Sequence, residues 1–277
     1  MPYFRQFPKT KYDFNNNGIS TNITDIFRYV TPDKNFLDDI SVYQYYTIND
    51  GDRPDIVSNI LYGTPEYYWT FFVCNDSLKQ GGLAAWPMSG QQFEDYMSNE
   101  YNGTCIITRP SIERDIYGTI LDYRDSLSGR FQIGETVTGS QSGATGTLVK
   151  KDAQLSQLIV GKVTGNFIGS TVGDITVSEQ ITGSISQSVV SSYTIVPYRY
   201  APHHYVDANG LTVYNSLFID ESQTMAGVQS GVEASELTAV TNDEYENSLN
   251  DARSQIRVVR PDEIYDFAQT FSKLING

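Results

Sequence analysis

Two six-residue segments of this 277-residue chain follow the same pattern, and this repeat restricts the possible folds more than any other feature. Residues 135–140 read Glu-Thr-Val-Thr-Gly-Ser, and residues 179–184, which begin 44 positions later, read Glu-Gln-Ile-Thr-Gly-Ser. An offset that is constant at every position indicates an internal duplication. Short β-branched runs between recurrent glycines predict a small antiparallel β module. A disordered Gly/Ser linker explains neither the repeat nor the alternation of apolar residues over 158–163.

The composition on either side of this module is different. Aromatic side chains nearly vanish between residues 129 and 192, and they return from Tyr193 onward. A length of 277 residues fits one large domain or two smaller ones. We therefore predict that residues 127–192 form a β-rich repeat domain, which is inserted into a parent domain made of residues 1–126 and 193–277.

The segment from residue 42 to residue 108 alternates strand and helix signals. Residues 42–48 are rich in aromatic and β-branched types, which favour a strand, and residues 49–52 form an Asn/Asp/Gly turn. Pro54 suits the first turn of a helix, and Gly63 suits its left-handed end. The apolar positions of this helix are Ile56, Val57, Ile60 and Leu61. Further signals predict a second helix from Thr64, a third helix with a capping box at Ser89 and Gln92, and a strand near 103–108.

The C-terminal part carries a similar mixture of signals. Residues 221–241 have the composition of a loop or an extended arm, and a helix is expected to begin near Asn242. Residues 256–259 predict a short strand, and Pro261 opens an amphipathic terminal helix. The predicted fold class is therefore α+β, with helices and strands in the parent domain and an inserted small all-β domain.

The charge balance argues against several classes of partner. The chain has 33 acidic and 19 basic residues, a net charge of −14, and its basic residues are not clustered. Binding to nucleic acid or to an anionic membrane needs clustered Lys and Arg, so neither partner is expected. The chain has no run of about 18 apolar residues and no apolar signal core, so we expect a soluble protein without an export signal. Two cysteines, Cys74 and Cys105, are too few for a disulfide scaffold and are expected to be reduced.

Residues that could carry chemistry are sparse. The only histidines are His203 and His204, and adjacent residues of an extended strand point to opposite faces, so the pair cannot both ligate one metal ion without a bend in the chain. The chain contains no Gly-x-Ser-x-Gly nucleophile motif and no phosphate-binding glycine loop. Carboxylates are numerous enough for pairs to arise by chance. The sequence therefore predicts a protein that is not an enzyme and needs no cofactor or metal.

The aromatic content is the strongest indication of function from composition. Tyrosine, phenylalanine and tryptophan number 20, 13 and 2, which is 13% of the chain. Tyrosine combines a large apolar ring with a polar tip, so it suits half-buried surfaces and protein interfaces. Residues 1–40 are aromatic but interrupted by proline and glycine, which predicts an extended arm that packs against its own chain or a neighbour. As a population, these side chains favour an assembly protein.

A family resemblance rests on residues 43–88. The stretches Tyr46–Pro54 and Leu61–Trp69, followed by Asn75 and by Trp86-Pro87-Met88, resemble the baseplate wedge protein that joins neighbouring wedges in contractile-tailed bacteriophages. The aromatic start of the chain looks like the start of that family, and residues 256–261 with the helix that follows look like its end. That family is similar to LysM domains over one strand, a Gly-Asp turn and two helices, so the resemblance implies a LysM-like β-α-α unit with flanking arms.

The resemblance also implies a function. It would make this chain a structural subunit of a tail baseplate in the virion, assembled in the host cytoplasm, that clamps adjacent wedges around the hub. Its partners would be other wedge subunits, including the one that starts sheath assembly, with roughly six or more copies per virion. The expected interface residues are Tyr3, Phe4, Phe7, Tyr12, Tyr43, Tyr45, Tyr67 and Tyr68.

LysM domains commonly bind polymers of N-acetylglucosamine, which keeps an alternative open. In that case the chain would be a peptidoglycan-binding module or an accessory of a cell-wall hydrolase. The two predicted helices, however, carry more bulky aromatic residues than one face can bury, which favours contact with protein. An enzyme is the third alternative, and it would depend on His203 or His204.

Overall fold

The computed structural model describes residues 7–25, 41–108, 130–152, 155–169, 179–190, 193–213 and 237–276. The described residues fall into two compact units. Unit 1 lies within Met1–Phe93 and Ser248–Gly277, and unit 2 lies within Glu94–Asn247. The chain combines helices and strands, which confirms the α+β class. The limits 127–192 of an inserted domain stay a prediction.

Unit 1 is built from short elements that come from both ends of the chain. Its first strands are β1 (Lys9–Tyr12), β2 (Thr21–Thr24) and β3 (Tyr43–Thr47). They are followed by helices α1 (Pro54–Tyr62), α2 (Trp69–Cys74) and α3 (Asp76–Lys79), with 3-10 turns at Pro65–Tyr67 and Gly82–Ala85. Helix α4 (Gly90–Glu100) begins in unit 1 and continues in unit 2. Near the C-terminus, helix α5 (Asn242–Ser254) begins in unit 2 and ends in unit 1, and it is followed by strand β14 (Gln255–Val259) and helix α6 (Ile264–Asn276) of unit 1.

The first helix has the limits that the sequence predicts, whereas the second begins later. Pro54 opens α1, and Gly63 ends it with a φ of 70° and an N–H bond to the carbonyl of Asn59. The helix expected from Thr64 is instead a 3-10 turn, and α2 begins only at Trp69. The cause is Ser58 of α1, whose hydroxyl donates to the Thr64 carbonyl at 2.7 Å and accepts from Tyr67 N–H at 3.2 Å. These bonds hold the segment in a tight turn against α1.

The predicted capping box at the start of α4 is confirmed. The N–H of Ser89 donates to Oε1 of Gln92 at 3.0 Å, and the N–H of Gln92 donates to the Ser89 hydroxyl at 3.4 Å. These two bonds satisfy donors that a helix leaves unpaired at its N-terminus.

Side chains from the helices tie the two ends of unit 1 together. Strand β14 pairs antiparallel with β3, from Gln255 opposite Thr47 to Val259 opposite Tyr43. Asn75 bridges this sheet to α2, because its Nδ2 donates to the carbonyls of Phe71 and Arg257 while its Oδ1 accepts from Arg257 N–H, each at 2.8 Å. Each of these bonds satisfies a buried polar group, and their loss would leave that group unpaired.

The core of unit 1 consists of two aromatic clusters. In the first, Trp69 of α2 packs against Phe267 and Phe271 of α6, with ring centroids 6.1 and 4.8 Å away. In the second, Phe71 packs against Trp86 at 6.0 Å, with Leu78 and Val57 around it. Aromatic pairs at these distances contribute beyond the area that they bury.

The described residues of unit 2 form a larger and a smaller antiparallel sheet. The strands of the larger sheet are β4 (Thr104–Thr108), β5 (Thr136–Gly139), β6 (Thr145–Asp152), β7 (Gln157–Thr164), β8 (Ile181–Gly183), β9 (Val189–Val190) and β10 (Tyr193–Pro197). Those of the smaller sheet are β11 (Pro202–Val206), β12 (Thr212–Val213) and β13 (Thr238–Thr241), and a 3-10 turn spans Tyr198–Tyr200. The strand order is β10-β4-β7-β6-β5-β8-β9 in the larger sheet and β12-β11-β13 in the smaller one.

The larger sheet mixes strands from inside and outside residues 127–192. Strand β4 pairs with β7 on one side and with β10 on the other, so the repeat continues into one sheet with flanking strands. The core side chains Phe131, Leu148 and Leu158 pack in one cluster with Tyr193 of β10.

Each copy of the sequence repeat contacts the turn that follows the strand of the other copy, β5 or β8. The carboxylate of Glu135 accepts the N–H groups of Ile185 and Ser186, each at 2.9 Å. The carboxylate of Glu179 accepts those of Gln141 and Ser142, each at 2.7 Å. The hydroxyls of Ser186 and Ser142 each donate to the same carboxylate as their own N–H. Each half of the repeat therefore supplies the carboxylate that closes the turn of the other half.

Both carboxylates are buried, but their charged forms are well solvated by protein donors. Burial would raise the pKa of Glu135, but the N–H groups of Ser186, Gln132 and Ile185 outweigh it and hold the pKa below its usual value. The pKa of Glu179 is lowered in the same way, against burial, by donors that include Ile168 N–H and the Ser142 hydroxyl.

Glycines make room for these two carboxylates. A Cβ on Gly139 would lie 2.4 Å from Oε1 of Glu179, and one on Gly183 would lie 2.6 Å from the carboxylate of Glu135. The glycine in each copy of the repeat thus makes room for the glutamate of the other copy.

Burial governs the chemistry of both cysteines. Cys74 and Cys105 are free thiols and are buried. Burial raises the pKa of the Cys74 thiol to about 12, so it stays protonated near neutral pH. Among the described residues, no helix combines the length and the apolar character that crossing a membrane requires.

Candidate protein interface

The predicted interface residues occupy different environments in unit 1. Tyr3 and Phe4 lie outside the described residues. Phe7 and Tyr43 are buried in the first aromatic cluster, where they pack with Val42 and Trp69. Within unit 1 these two residues serve the core, and they leave little surface for another chain.

Tyr12 lies at the end of the β1–β2 hairpin and is half exposed. Its ring meets Phe14 edge to face, with centroids 4.9 Å apart, and Phe14 is 67% exposed. Asp13 organises the turn, because its carboxylate accepts the N–H groups of Asn15 at 3.1 Å and Gly18 at 2.6 Å. Gly18 has a φ of 82°, which a residue with a Cβ adopts only under strain. The turn therefore presents an aromatic pair to the surroundings.

Tyr45 is the most exposed of the predicted residues that the structure describes. It lies in the middle of β3, opposite Arg257 of β14, and 75% of its surface is accessible. An aromatic ring this exposed on a paired strand has no role in the core of unit 1. It is a candidate anchor for another protein surface.

Tyr67 and Tyr68 are only half-buried. Tyr67 meets Tyr62 edge to face at 5.8 Å and packs against the first cluster, whereas Tyr68 contacts both clusters. The hydroxyl of Tyr62 donates to the carbonyl of Val259 at 2.9 Å, which fixes the ring on which Tyr67 rests. These tyrosines combine a structural role with accessible surface.

Ile56 and Ile60 of α1 are surface residues that the sequence pattern did not indicate. They are 44% and 58% exposed, whereas Val57 of the same helix is fully buried. The four apolar positions of α1 span more than one face, so they do not all reach one core. Because residues four apart lie on one side of a helix, the two isoleucines form an apolar stripe. Counting the apolar residues on each face of this helix would have identified them from the sequence.

Among the described residues, no group of three or more His, Cys, Asp or Glu side chains converges in the way that a metal site with three protein ligands requires. Arg199 forms ion pairs with Glu94 at 2.6 Å and with Asp243, and this network joins α4 and α5 to the 3-10 turn within unit 2. These charges are paired with one another.

Comparison with known proteins supports the resemblance that residues 43–88 indicate. Residues 3–106 match the family described as "Base plate wedge protein 53". The baseplate wedge protein gp53 of Enterobacteria phage T4 is 38% identical over 64 residues, which are 23% of this chain. The alignment spans about a third (32%) of that relative's length. The N-terminal part of this chain, which includes β3, α1 and α2, is therefore similar to the baseplate wedge proteins of bacteriophages.

Proposed function

We propose that this protein is a structural subunit of a bacteriophage tail baseplate wedge and that it clamps adjacent wedges through the exposed aromatic and apolar side chains of unit 1. The observation that carries the proposal is the match of residues 3–106 to the baseplate wedge family. The partners would be other wedge subunits, including the one that initiates the sheath, and the site of action would be the virion.

The proposed contact surface consists of the exposed side chains on three elements of unit 1. They are Tyr12 and Phe14 on the hairpin, Tyr45 on β3, and Ile56 and Ile60 on α1. Burial of apolar surface contributes about 25 cal/mol per Å², so several such side chains offset the cost of association. Tyr3, Phe4, Tyr67 and Tyr68 stay in the proposed interface, and Phe7 and Tyr43 would act by shaping it from below.

The proposal can be tested by adding the purified chain to tail particles that lack this subunit and measuring its co-sedimentation with them. We expect the full chain to co-sediment with such particles and the double variant Tyr45→Ser/Ile60→Ser to lose about 2 kcal/mol of binding free energy, roughly 30-fold in affinity. Leu211→Ser, which removes another exposed apolar side chain but lies in unit 2, is the matched control and should bind normally. Circular dichroism would verify that all variants fold.

Two results would contradict this function. If the double variant binds as well as the control, the proposed surface is wrong. If the full chain is retained on purified peptidoglycan and does not associate with tail particles, the rival cell-wall-binding function is correct. A photo-reactive residue placed at position 45 would identify which neighbour this surface contacts.

A further inference from the structure

His203 and His204 meet in a way that strand geometry alone does not predict. They are consecutive residues of β11, and alternation would place their side chains on opposite faces. The pairing of β11 with β13 shifts register between Pro202 and His204, however, so the strand bulges at this point. The Nδ1 atoms of the two rings lie 2.9 Å apart, and the ring planes are nearly perpendicular at 85°. The bulge supplies the bend that the two side chains need to approach each other.

The position of the pair is fixed by helix α5. The ring of Tyr245 stacks on His203 with centroids 3.8 Å apart and planes 9° from parallel, and it meets His204 edge to face at 5.9 Å. Both histidines are only half-buried, so a solute can reach them. The neighbouring Glu246 accepts hydroxyl bonds from Tyr96 and Tyr101 at 3.2 and 2.7 Å, which orients that side of the site.

The spacing of the two nitrogens matches a particular coordination geometry. Metal–imidazole bonds are about 2.0–2.1 Å long, so two Nδ1 atoms 2.9 Å apart subtend an angle of about 90° at a shared ion. A tetrahedral ion would need the two nitrogens about 3.3–3.4 Å apart, whereas an angle of about 90° is the cis angle of tetragonal complexes. We propose that His203 and His204 form a bidentate site for a tetragonal divalent transition-metal ion, Cu²⁺ or Ni²⁺, with water as the remaining ligands.

Binding of the ion shifts one proton within the pair. In the metal-free pair the Nδ1–H of one ring donates a hydrogen bond to Nδ1 of the other. When the ion binds, this proton leaves Nδ1 and the same ring takes one up at Nε2 through solvent, so binding to two neutral rings releases no net proton.

The experiment uses the untagged full chain, because these two residues are its only histidines. Titration calorimetry with NiCl2 should show one saturable site. The spectrum of electron paramagnetic resonance with one equivalent of Cu²⁺ should show two coupled nitrogens. His203→Asn and His204→Asn should each weaken binding by more than about tenfold, since loss of a direct ligand costs at least as much as loss of an outer partner.

Leu211→Ser is the control, because this exposed side chain of unit 2 is neither a proposed ligand nor part of the ring contacts that hold the pair. It should bind Ni²⁺ like the parent chain. If both asparagine variants bind Ni²⁺ as tightly as the parent, or if Cu²⁺ shows fewer than two nitrogens, the pair is a hydrogen-bonded contact and the proposal is wrong. These outcomes are independent of tail assembly, so they do not depend on the proposed function.

Discussion

Units 1 and 2 stabilise buried backbone by different means. In unit 1, neutral side chains connect segments far apart in sequence, as Asn75 does with Arg257 and as Tyr62 does with Val259. In unit 2, charged carboxylates of Glu135 and Glu179 close the turns of a repeated motif. Large rings dominate the core of unit 1, whereas that of unit 2 consists mostly of smaller side chains between paired strands.

Substitution and acid should affect the stability of the two units differently. An aromatic core loses stability mainly when volume is removed, because a cavity remains. A turn closed by a carboxylate loses stability when charge is removed, by substitution or by acid. The two units should therefore be sensitive to different perturbations.

The largest effect is expected in the core of unit 1. Phe71→Ala removes a fully buried ring that contacts Trp86 and should destabilise the protein by about 3–5 kcal/mol. Phe14→Ala, which removes a largely exposed ring, is the matched control and should change stability by less than about 0.5 kcal/mol. Denaturant unfolding followed by tryptophan fluorescence measures both. Equal effects of the two variants would mean that Phe71 is not the centre of this core.

A smaller effect, dependent on pH, is expected in unit 2. Glu179→Gln or Glu135→Gln replaces charge-assisted hydrogen bonds with weaker ones and should cost about 1.5–3 kcal/mol at pH 7. The exposed residue Glu100 offers a control, since Glu100→Gln should have little effect.

The sign of the pH dependence follows from the lowered pKa of both carboxyl groups. A native pKa below the unfolded value stabilises the fold at pH values above the unfolded pKa. This stabilisation is lost as the pH falls through the native pKa. The two Gln variants should therefore approach the parent in stability below about pH 4. A difference that stays constant down to pH 3 would contradict the role of these charges.

The smallest effect is expected at a local cap in unit 1. Thr64 accepts the N–H of Glu66 at a long distance of 3.4 Å, so Thr64→Ala should cost at most about 0.5–1 kcal/mol. Ser58→Ala is the informative comparison, because the Ser58 hydroxyl both donates and accepts and is buried. Thermal unfolding should show the greater loss for Ser58→Ala. The reverse order would mean that Thr64, and not Ser58, sets the turn between α1 and α2.

The residues of the candidate interface could be proposed from residue type alone, but the exposure of each side chain could not be predicted in this way. The sequence indicated an aromatic surface near Tyr43 and Tyr45, yet only the fold shows that the first is buried and the second is exposed. Strand alternation does not separate them, because residues two apart point to the same face. Their exposure differs because other side chains pack over the ring of Tyr43 and not over that of Tyr45. Those side chains come from segments at both ends of the chain.

The sequence by itself determined the local structure and the family resemblance: the limits of α1, the capping box at Ser89, and the repeat that places a glutamate before each glycine-containing turn. These features depend on neighbouring residues, whose conformational preferences act over a few positions. The tertiary structure alone decided that Glu135 and Glu179 exchange turns, that Ser58 shortens the second helix, and that a bulge brings His203 and His204 together. Each of these depends on the register between strands or on helix packing, which is set by the energy of the whole unit and is not encoded at any single position.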